Sequence, residues 1–198
     1  MPRVWKPIVA LIAAAVLAGC AQTPQTIRLA PDAPNEMAVN YGQGRDVALR
    51  VVDNRLDKSQ LGELRNRNEE PAPLRTKQDL SYVVKLAAGQ VLKAYGFNPT
   101  PWSEDAERRL TISIDSLHHT VGAAIPRDVN TTVKLSSTAV YGNKSLKLQA
   151  EQNSSDEITH RPSPDENAQF IDKAITQALG RLYSDDLARF LANGETGG

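Results

Sequence analysis

Few residues in this chain have the type and spacing that chemistry requires. His118 and His119 are adjacent, and an imidazole pair can ligate a metal or carry a proton. Neighbours on a strand point to opposite faces, so one site cannot readily take both. The expectation is histidines at the surface or at a sheet end, and no metal. His160 lies in a polar run and is expected to be exposed. Asp165-Glu166 and Asp185-Asp186 are consecutive carboxylates. Paired acids cleave glycosidic bonds when they face each other across a cleft, roughly 5–10 Å apart. Each pair here instead follows a serine at a helix start, where the dipole favours acids. Asp53 and Arg55 stand two apart and can share one face at a strand end. They form either a recognition patch for a partner or, as the stronger reading, an ion pair fixing the strand-to-loop exit. Trp102 sits among prolines, either as an exposed anchor for protein or glycan or as a cover over one end of the core. No Gly-x-Ser-x-Gly elbow, phosphate loop or His-Glu-x-x-His pattern occurs. No catalytic residue, cofactor or enzymatic activity is therefore expected.

The remaining reactive group is Cys20, the single cysteine of the 198 residues. It excludes an intramolecular disulfide and a zinc site built from several thiolates. Its position explains it. Arg3 and Lys6 precede an uninterrupted apolar run, Ile8 to Leu17. At 1.5 Å per helical residue that run covers roughly 15 Å, about half a bilayer core, which suits a secretion signal and not a transmembrane span. Leu17-Ala18-Gly19-Cys20 resembles the bacterial lipobox. The resemblance implies cleavage between Gly19 and Cys20, a diacylglycerol on the Cys20 sulfur and an acyl group, such as palmitate, on the new amino terminus. Several acyl chains on one residue make a lasting anchor, and acylation leaves no cysteine nucleophile. Ala21 follows where inner-membrane retention would place Asp. By similarity to sorted lipoproteins, the destination is the outer membrane, on its periplasmic side.

Removing residues 1–19 leaves about 179 residues, enough for one core. The whole chain has 23 basic and 23 acidic residues. The signal takes away Arg3 and Lys6 and no acid, leaving a net charge of −2. That balance has no footprint for nucleic acid and no polybasic membrane patch.

Residues 20–44 carry Pro24, Pro31, Pro34, Gly42 and Gly44 and read as a lipidated tether of roughly 25–30 Å, with a weak strand signal at Thr26–Leu29. A single domain is expected over 45–193, with a disordered tail at 194–198. Asp46–Asp53 alternates as a strand. Asn54 to Pro73 is polar and charged and reads as a long mobile surface loop, a candidate contact surface or simply a solvated one. Thr76 and Asp79 mark a capping box before a helix with apolar steps at Leu80, Val83, Val84, Ala87, Val91 and Tyr95, stopped by Gly96. Strands are expected around Leu110–Ile114, Val129–Leu135 and Leu146–Ala150, the last two joined by a turn at Tyr141-Gly142-Asn143-Lys144. Ser163-Pro164-Asp165-Glu166 opens a second helix with a stripe from Phe170 to Leu182. Ser184 to Leu191 extends it or forms a further short turn. The order β-α-β-β-β-α implies an α+β domain of two layers: an antiparallel sheet of about four strands, two helices on one face and water on the other.

The lipobox and this element order resemble the YajG family of Gram-negative lipoproteins. The similarity rests on Val51-Val52-Asp53-Asn54-Arg55, Leu92 through Gly96-Phe97, Leu110-Thr111-Ile112-Ser113-Ile114 with Leu117, and the helix from Ala168 to Leu191. It implies an outer-membrane lipoprotein with no assigned reaction, and it transfers no active site. The resulting expectation is a non-enzymatic, lipid-anchored periplasmic protein that binds or supports an envelope protein or complex, or peptidoglycan. A cell-wall glycan-binding protein or hydrolase is the first rival and requires an acidic cleft. An auxiliary lipoprotein of a transport or secretion machine is the second and requires an exposed apolar groove beside the sheet.

Overall fold

A computed structural model describes residues 23–34, 39–66 and 69–195; the signal, Gly19 and Cys20 lie outside them. In chain order the elements are β1 (Gln25–Ile27), β2 (Asp46–Asp53), β3 (Gly62–Asn66), β4 (Glu69–Thr76), α1 (Leu80–Ala94), β5 (Asn98–Thr100), β6 (Arg108–Val121), β7 (Arg127–Tyr141), β8 (Lys144–Ile158), α2 (Pro164–Leu182) and α3 (Asp185–Asn193).

The spine is β6. Its first half alternates as the sequence suggests, burying Leu110, Ile112 and Ile114. A bulge between Ile114 and Ser116 then inserts one residue. One extra residue reverses the side-chain phase of a strand, so Leu117, His119 and Val121 turn inward. On one edge β6 pairs antiparallel with the whole of β7, which pairs in turn with β8. Its other edge is shared end to end by two parallel strands. β2 runs along Arg109–Ile114 and β3 along His119–Val121. β4 adds antiparallel to β3, β1 parallel to β4, and β5 parallel to β2.

The expected two-layer, four-stranded antiparallel sheet with two helices is therefore overturned. Among the described residues the sheet has eight strands, is mixed and curls into a half-barrel, with three helices. The discrepancy arises in two places. Parallel neighbours are joined by long crossovers and leave no turn signal between them. The stretch 54–73, expected to be loop throughout, contains β3 and most of β4. Pro71 and Pro73 argued against a strand, yet their missing N–H groups fall on the outer edge of β4. The Leu74 carbonyl accepts from Leu61 on the β3 side, and β1 covers only Leu74–Thr76. Proline is tolerated on such an edge.

Part of the expected tether also belongs to the fold. β1 lies within it, and Ile27 and Leu29 are buried. The Leu29 N–H donates to Gln78 Oε1 at 2.6 Å, while Gln78 Nε2 donates to the Leu29 carbonyl at 3.0 Å. Further on, Gly42 and Gly44 donate to the Tyr95 and Gly96 carbonyls. A Cβ on Gly42 would strike the Gly96–Phe97 backbone, which accounts for glycine there.

α1 covers β2 and β5 with Leu80, Val83, Val84, Ala87, Ala88, Val91 and Leu92. Its N-cap is Asp79, not Thr76: the Asp79 carboxylate accepts from the Ser81 and Tyr82 N–H groups, and the Thr76 hydroxyl accepts from Gln78 N–H. α2 begins with the Ser163–Glu166 capping box and lies over β7, β8 and β1. α3 is a separate helix capped by Ser184 and packed on β7. Tyr183 links the helices, donating its hydroxyl to the Ala88 carbonyl while accepting from the Tyr95 hydroxyl through its own carbonyl.

One buried polar chain crosses the sheet-helix interface. His119 is fully buried, against the expectation of a surface or sheet-end residue, while His118 is exposed on the opposite face. The Asn167 amide donates to Gln25 Oε1 at 2.7 Å, and Gln25 Nε2 donates to the Pro162 carbonyl at 3.3 Å. The Asn167 Oδ1 therefore accepts, and His119 Nε2, 3.0 Å away, carries the proton. Its Nδ1 accepts from the Thr131 hydroxyl at 2.8 Å. Burial holds the imidazole neutral, with its pKa lowered to about 4; the Asn167 bond opposes the shift and His118 adds to it. His119→Leu would leave the Thr131 and Asn167 groups unpaired, with an expected loss of about 3 kcal/mol in denaturant unfolding. Because the folded pKa lies below the unfolded value, His119 favours folding above pH 6.5, and that contribution disappears as pH falls towards 4. Unfolding of the wild type and His119→Leu across that window should show the acid-dependent component only in the wild type.

Candidate functional site

Where β2 leaves the sheet, Asp53 and Arg55 form a closed knot. Arg55 Nη2 and Nε donate to Asp53 Oδ2 and Oδ1 at 2.9 and 3.0 Å, and the Arg55 N–H donates to Oδ1 at 3.1 Å. Arg55 Nη1 reaches across the loop to the Gln60 carbonyl at 2.9 Å. Only 5% of the Arg55 side chain and 12% of the Asp53 side chain are exposed. Burial pushes the Asp53 carboxyl upward, but the Arg55 guanidinium and N–H outweigh it and hold the carboxyl below its usual range. The pair fastens the path by which the chain leaves β2 on the β6 edge and returns to that edge as β3.

At the tip of this fastened loop Leu56 is wholly exposed. Asp57, accepting from the Ser59 N–H and hydroxyl, shapes the following turn. Beside the loop opens a cleft of about 550 Å³ lined by Val51, Val52, Asp53, Arg55, Lys58 and the start of α1. A second, more apolar groove of about 430 Å³ runs between α1 and β5, lined by Tyr82, Lys85, Leu86, Gly89, Lys93 and Pro99, among others. Tyr82 and Leu86 are 60% and 53% exposed. One turn apart, they stand on the same helix face. Of the large apolar side chains exposed among the described residues, Val52 lines the first cleft and Tyr82 and Leu86 the second, while Leu56, Val39 and Ile125 line neither. Sequence reading missed these residues. The available signal was that Tyr82 and Leu86 are large apolar residues outside the buried stripe of α1.

Trp102 does not join Asp53 and Arg55. It lies under Arg50, whose guanidinium carbon is 3.8 Å from the ring centroid, and its indole N–H donates to Glu104 at 3.0 Å. Arg50 also pairs with Glu104 and donates to Thr111. This cluster sits on the polar sheet face and does not line the cleft at the β2 exit.

The other expected groups have local partners. Glu166 completes the helix cap and contacts exposed His160, and Asp185 lies 3.8 Å from Arg189. Among the described residues no cluster of three His, Cys, Asp or Glu could hold a metal, and no helix is long and apolar enough to cross a membrane. Two acids do share a cleft: Asp172 and Asp32 line about 420 Å³ along α2. Burial raises the Asp172 carboxyl to about 6, the Ala30 N–H opposes the shift, and Asp32 adds to it. Both Asp172 oxygens lie 3.0 Å from the Ala30 N–H, which binds the N-terminal segment to α2.

Arg55→Ala would strand a largely buried carboxylate and cost about 3 kcal/mol in denaturant unfolding; Arg55→Lys should recover only part, because one ammonium cannot span both Asp53 and Gln60. For Asp172 the folded pKa lies above the unfolded one, so its contribution to stability is present below pH 4 and lost as pH rises through about 6. Asp172→Asn should therefore be more stable than the wild type at pH 7.5, on the order of 1 kcal/mol after solvent screening, with the gain vanishing by pH 4 in thermal unfolding.

Three solved structures are similar to this chain to different degrees. The Xanthomonas campestris protein XCC0632, of the DUF330 family, superposes with a TM-score of 0.52 at 11% identity, covering 87% of this chain and 97% of that one. An uncharacterized protein gives 0.47 at 9% identity, covering 81% and 97%. PelC from Paraburkholderia phytofirmans, crystallized as a dodecamer, gives 0.39 at 9% identity, covering 73% and 89%. The first shows a shared fold alone. No match was found among curated proteins. Residues 31–191 match a family model described as an uncharacterized lipoprotein. The chain therefore belongs to the YajG family of lipoproteins, the family its residues resemble.

Proposed function

We propose that the protein is a non-enzymatic lipoprotein, anchored through Cys20 to the periplasmic side of the outer membrane, whose α1 face binds an envelope protein. The observation that carries this reading is the pair Tyr82 and Leu86, exposed one turn apart on α1 beside an apolar groove, with exposed Val52 lining the cleft at the β2 exit. Lone exposed apolar residues are ordinary, but a grouped set beside a groove is the mark of a docking surface. Lys58, Lys85 and Lys93 line the clefts. The acids lining them are Asp53, bound to Arg55, and Asp79, which caps α1. The complementary partner is an apolar segment flanked by acidic residues, laid along α1 as a helix in a groove. A strand added to β5 fits less well, because Pro99 supplies no N–H to an incoming strand. An auxiliary role in a transport or secretion complex is the form of this function that an apolar groove beside the sheet best suits.

Glycan binding or hydrolysis is the second reading, favoured by the Asp172–Asp32 cleft. Both Asp172 oxygens already face the Ala30 N–H, which weighs against a free acid-base pair.

The test is photo-crosslinking in cells from residues 56 and 82, with Leu86→Asp as the disrupting change and lipidation monitored in parallel. A discrete protein adduct that Leu86→Asp abolishes, in a protein still lipidated and folded, is the expected outcome. Adducts to wall fragments alone, or a protein adduct indifferent to Leu86→Asp, would refute docking on α1. Cys20→Ser should move the protein from the membrane fraction to the soluble fraction.

A further inference from the structure

The register of the sheet determines which end of the molecule can meet a membrane. Gln25 pairs with Leu74, Leu74 with Gly62, and Gly62 with His119. The start of β1 is thus level with His119, two residues short of the end of β6 at Val121. Thr23, two residues earlier, comes level with Val121, since each strand residue advances about 3.3 Å. Between Cys20 and Thr23 the chain has only three steps, which span about 10 Å when fully extended. A lipid on Cys20 therefore holds the bilayer surface within about 10 Å of this end of the sheet, much nearer than a free tether of 24 residues would.

The β6–β7 turn projects from the same end. Its residues are Gly122-Ala123-Ala124-Ile125-Pro126, with no polar side chain. Ala124, Ile125 and Pro126 are exposed, Ile125 by 65%. The turn is built rather than loose. Gly122 N–H donates to the Asp128 carbonyl at 2.8 Å, and Arg127 Nη1 donates to the Gly122 and Ala123 carbonyls at 2.9 and 3.2 Å. Extending a residue or two beyond Val121, it covers about half of the distance the Cys20 linkage allows. Gly122 and Pro126 are ordinary turn residues, but the run Ala123-Ala124-Ile125 between them carries none of the Asn, Asp or Ser that turns facing water also draw on. At a bilayer surface the same tip buries its side chains in the boundary between headgroups and acyl chains. The opposite hairpin, β7–β8, has Gly142 and Asn143 at its tip, both exposed and neither bulky nor apolar.

We propose that the β6–β7 turn is a second membrane contact, with Ile125 entering the bilayer that holds the Cys20 lipid. The contact stands the sheet on this end, with the hairpin at Gly142 farthest from the bilayer. It rests on the anchor proposed above and adds an orientation to it. The turn contributes little to retention, because the acyl chains already bind the protein, so its effect is on orientation.

Acylation of Cys20 leaves no free thiol, so Ile125→Cys and Asn143→Cys each introduce a single labelling site in the lipidated full-length chain. Each variant carries a polarity-sensitive fluorophore in vesicles of phosphatidylethanolamine and phosphatidylglycerol containing nitroxide-labelled lipid. Intact-mass measurement of the N-terminal peptide reports acylation. The expected result is a blue shift and several-fold stronger quenching at 125 than at 143. Equal quenching at both sites, or stronger quenching at 143, in an acylated protein would overturn the proposed orientation while leaving the anchor intact. Disulfide formation by added oxidant between unlabelled Ile125→Cys copies, with no lipid quenching of the labelled protein, would overturn it in favour of self-association. An unacylated peptide would remove the anchor itself, and this proposal with it.

Discussion

A single inserted residue in β6 governs the arrangement of this fold. Up to Ile114 the even-numbered residues of β6 face the core; from Leu117 onward the odd-numbered ones do. The bulge between them lies where the parallel partner changes from β2 to β3. Without it, His118 and Thr120 would face inward and His119 and Val121 would face water. The buried polar chain from Thr131 through His119 and Asn167 to Gln25 depends on that phase change, and through Gln25 so does the placing of β1. Local backbone irregularity thus decides where the chain following Cys20 meets the folded domain.

The ion pair of Asp53 and Arg55 serves the same split edge. β2 and β3 lie in line along β6, so the chain must leave the edge and return to it within residues 54–61. A guanidinium that holds its own strand end and the Gln60 carbonyl closes that excursion. A buried pair of this kind is worth little against an apolar alternative but is costly to break. Its consequence is geometric: it holds rigid a loop that displays Leu56. The geometry is that of an ion pair fixing the strand-to-loop exit, and the recognition reading of these residues belongs to the proposed function.

The two proposed surfaces occupy different parts of the molecule. The apolar turn stands at the end where β1 starts, with the linkage to Cys20 beside it. α1 descends from the level of Thr76 towards β5, whose partner Asp46 precedes the stretch of β2 that joins β6. A domain standing on the β6–β7 turn would leave α1 clear of the bilayer, so the two proposed contacts do not compete. The buried polar chain lies between them, and burial holds its imidazole neutral.

Much of this was legible in the residues themselves. The lipoprotein family was legible in the element order and in short aliphatic runs, and the match over residues 31–191 agrees with it; the lipid anchor on Cys20 belongs to the proposed function. The Ser163–Glu166 box, the Gly96 stop and the turn at Gly142 read locally, because hydrogen bonds between near neighbours and positive φ angles impose them. The alternation of β2, β6 and β7 read correctly wherever one face is buried and the other wet. What only the tertiary structure decided was non-local: the parallel pairings, the strands β3 and β4 within a charged, proline-bearing stretch, and the capture of Ile27 and Leu29 from an expected tether. Each depends on which edge lies open to receive a short segment, and composition carries no record of that. The bulge, and with it the choice of His119 over His118 for the core, depends on a one-residue phase that two adjacent histidines could not disclose.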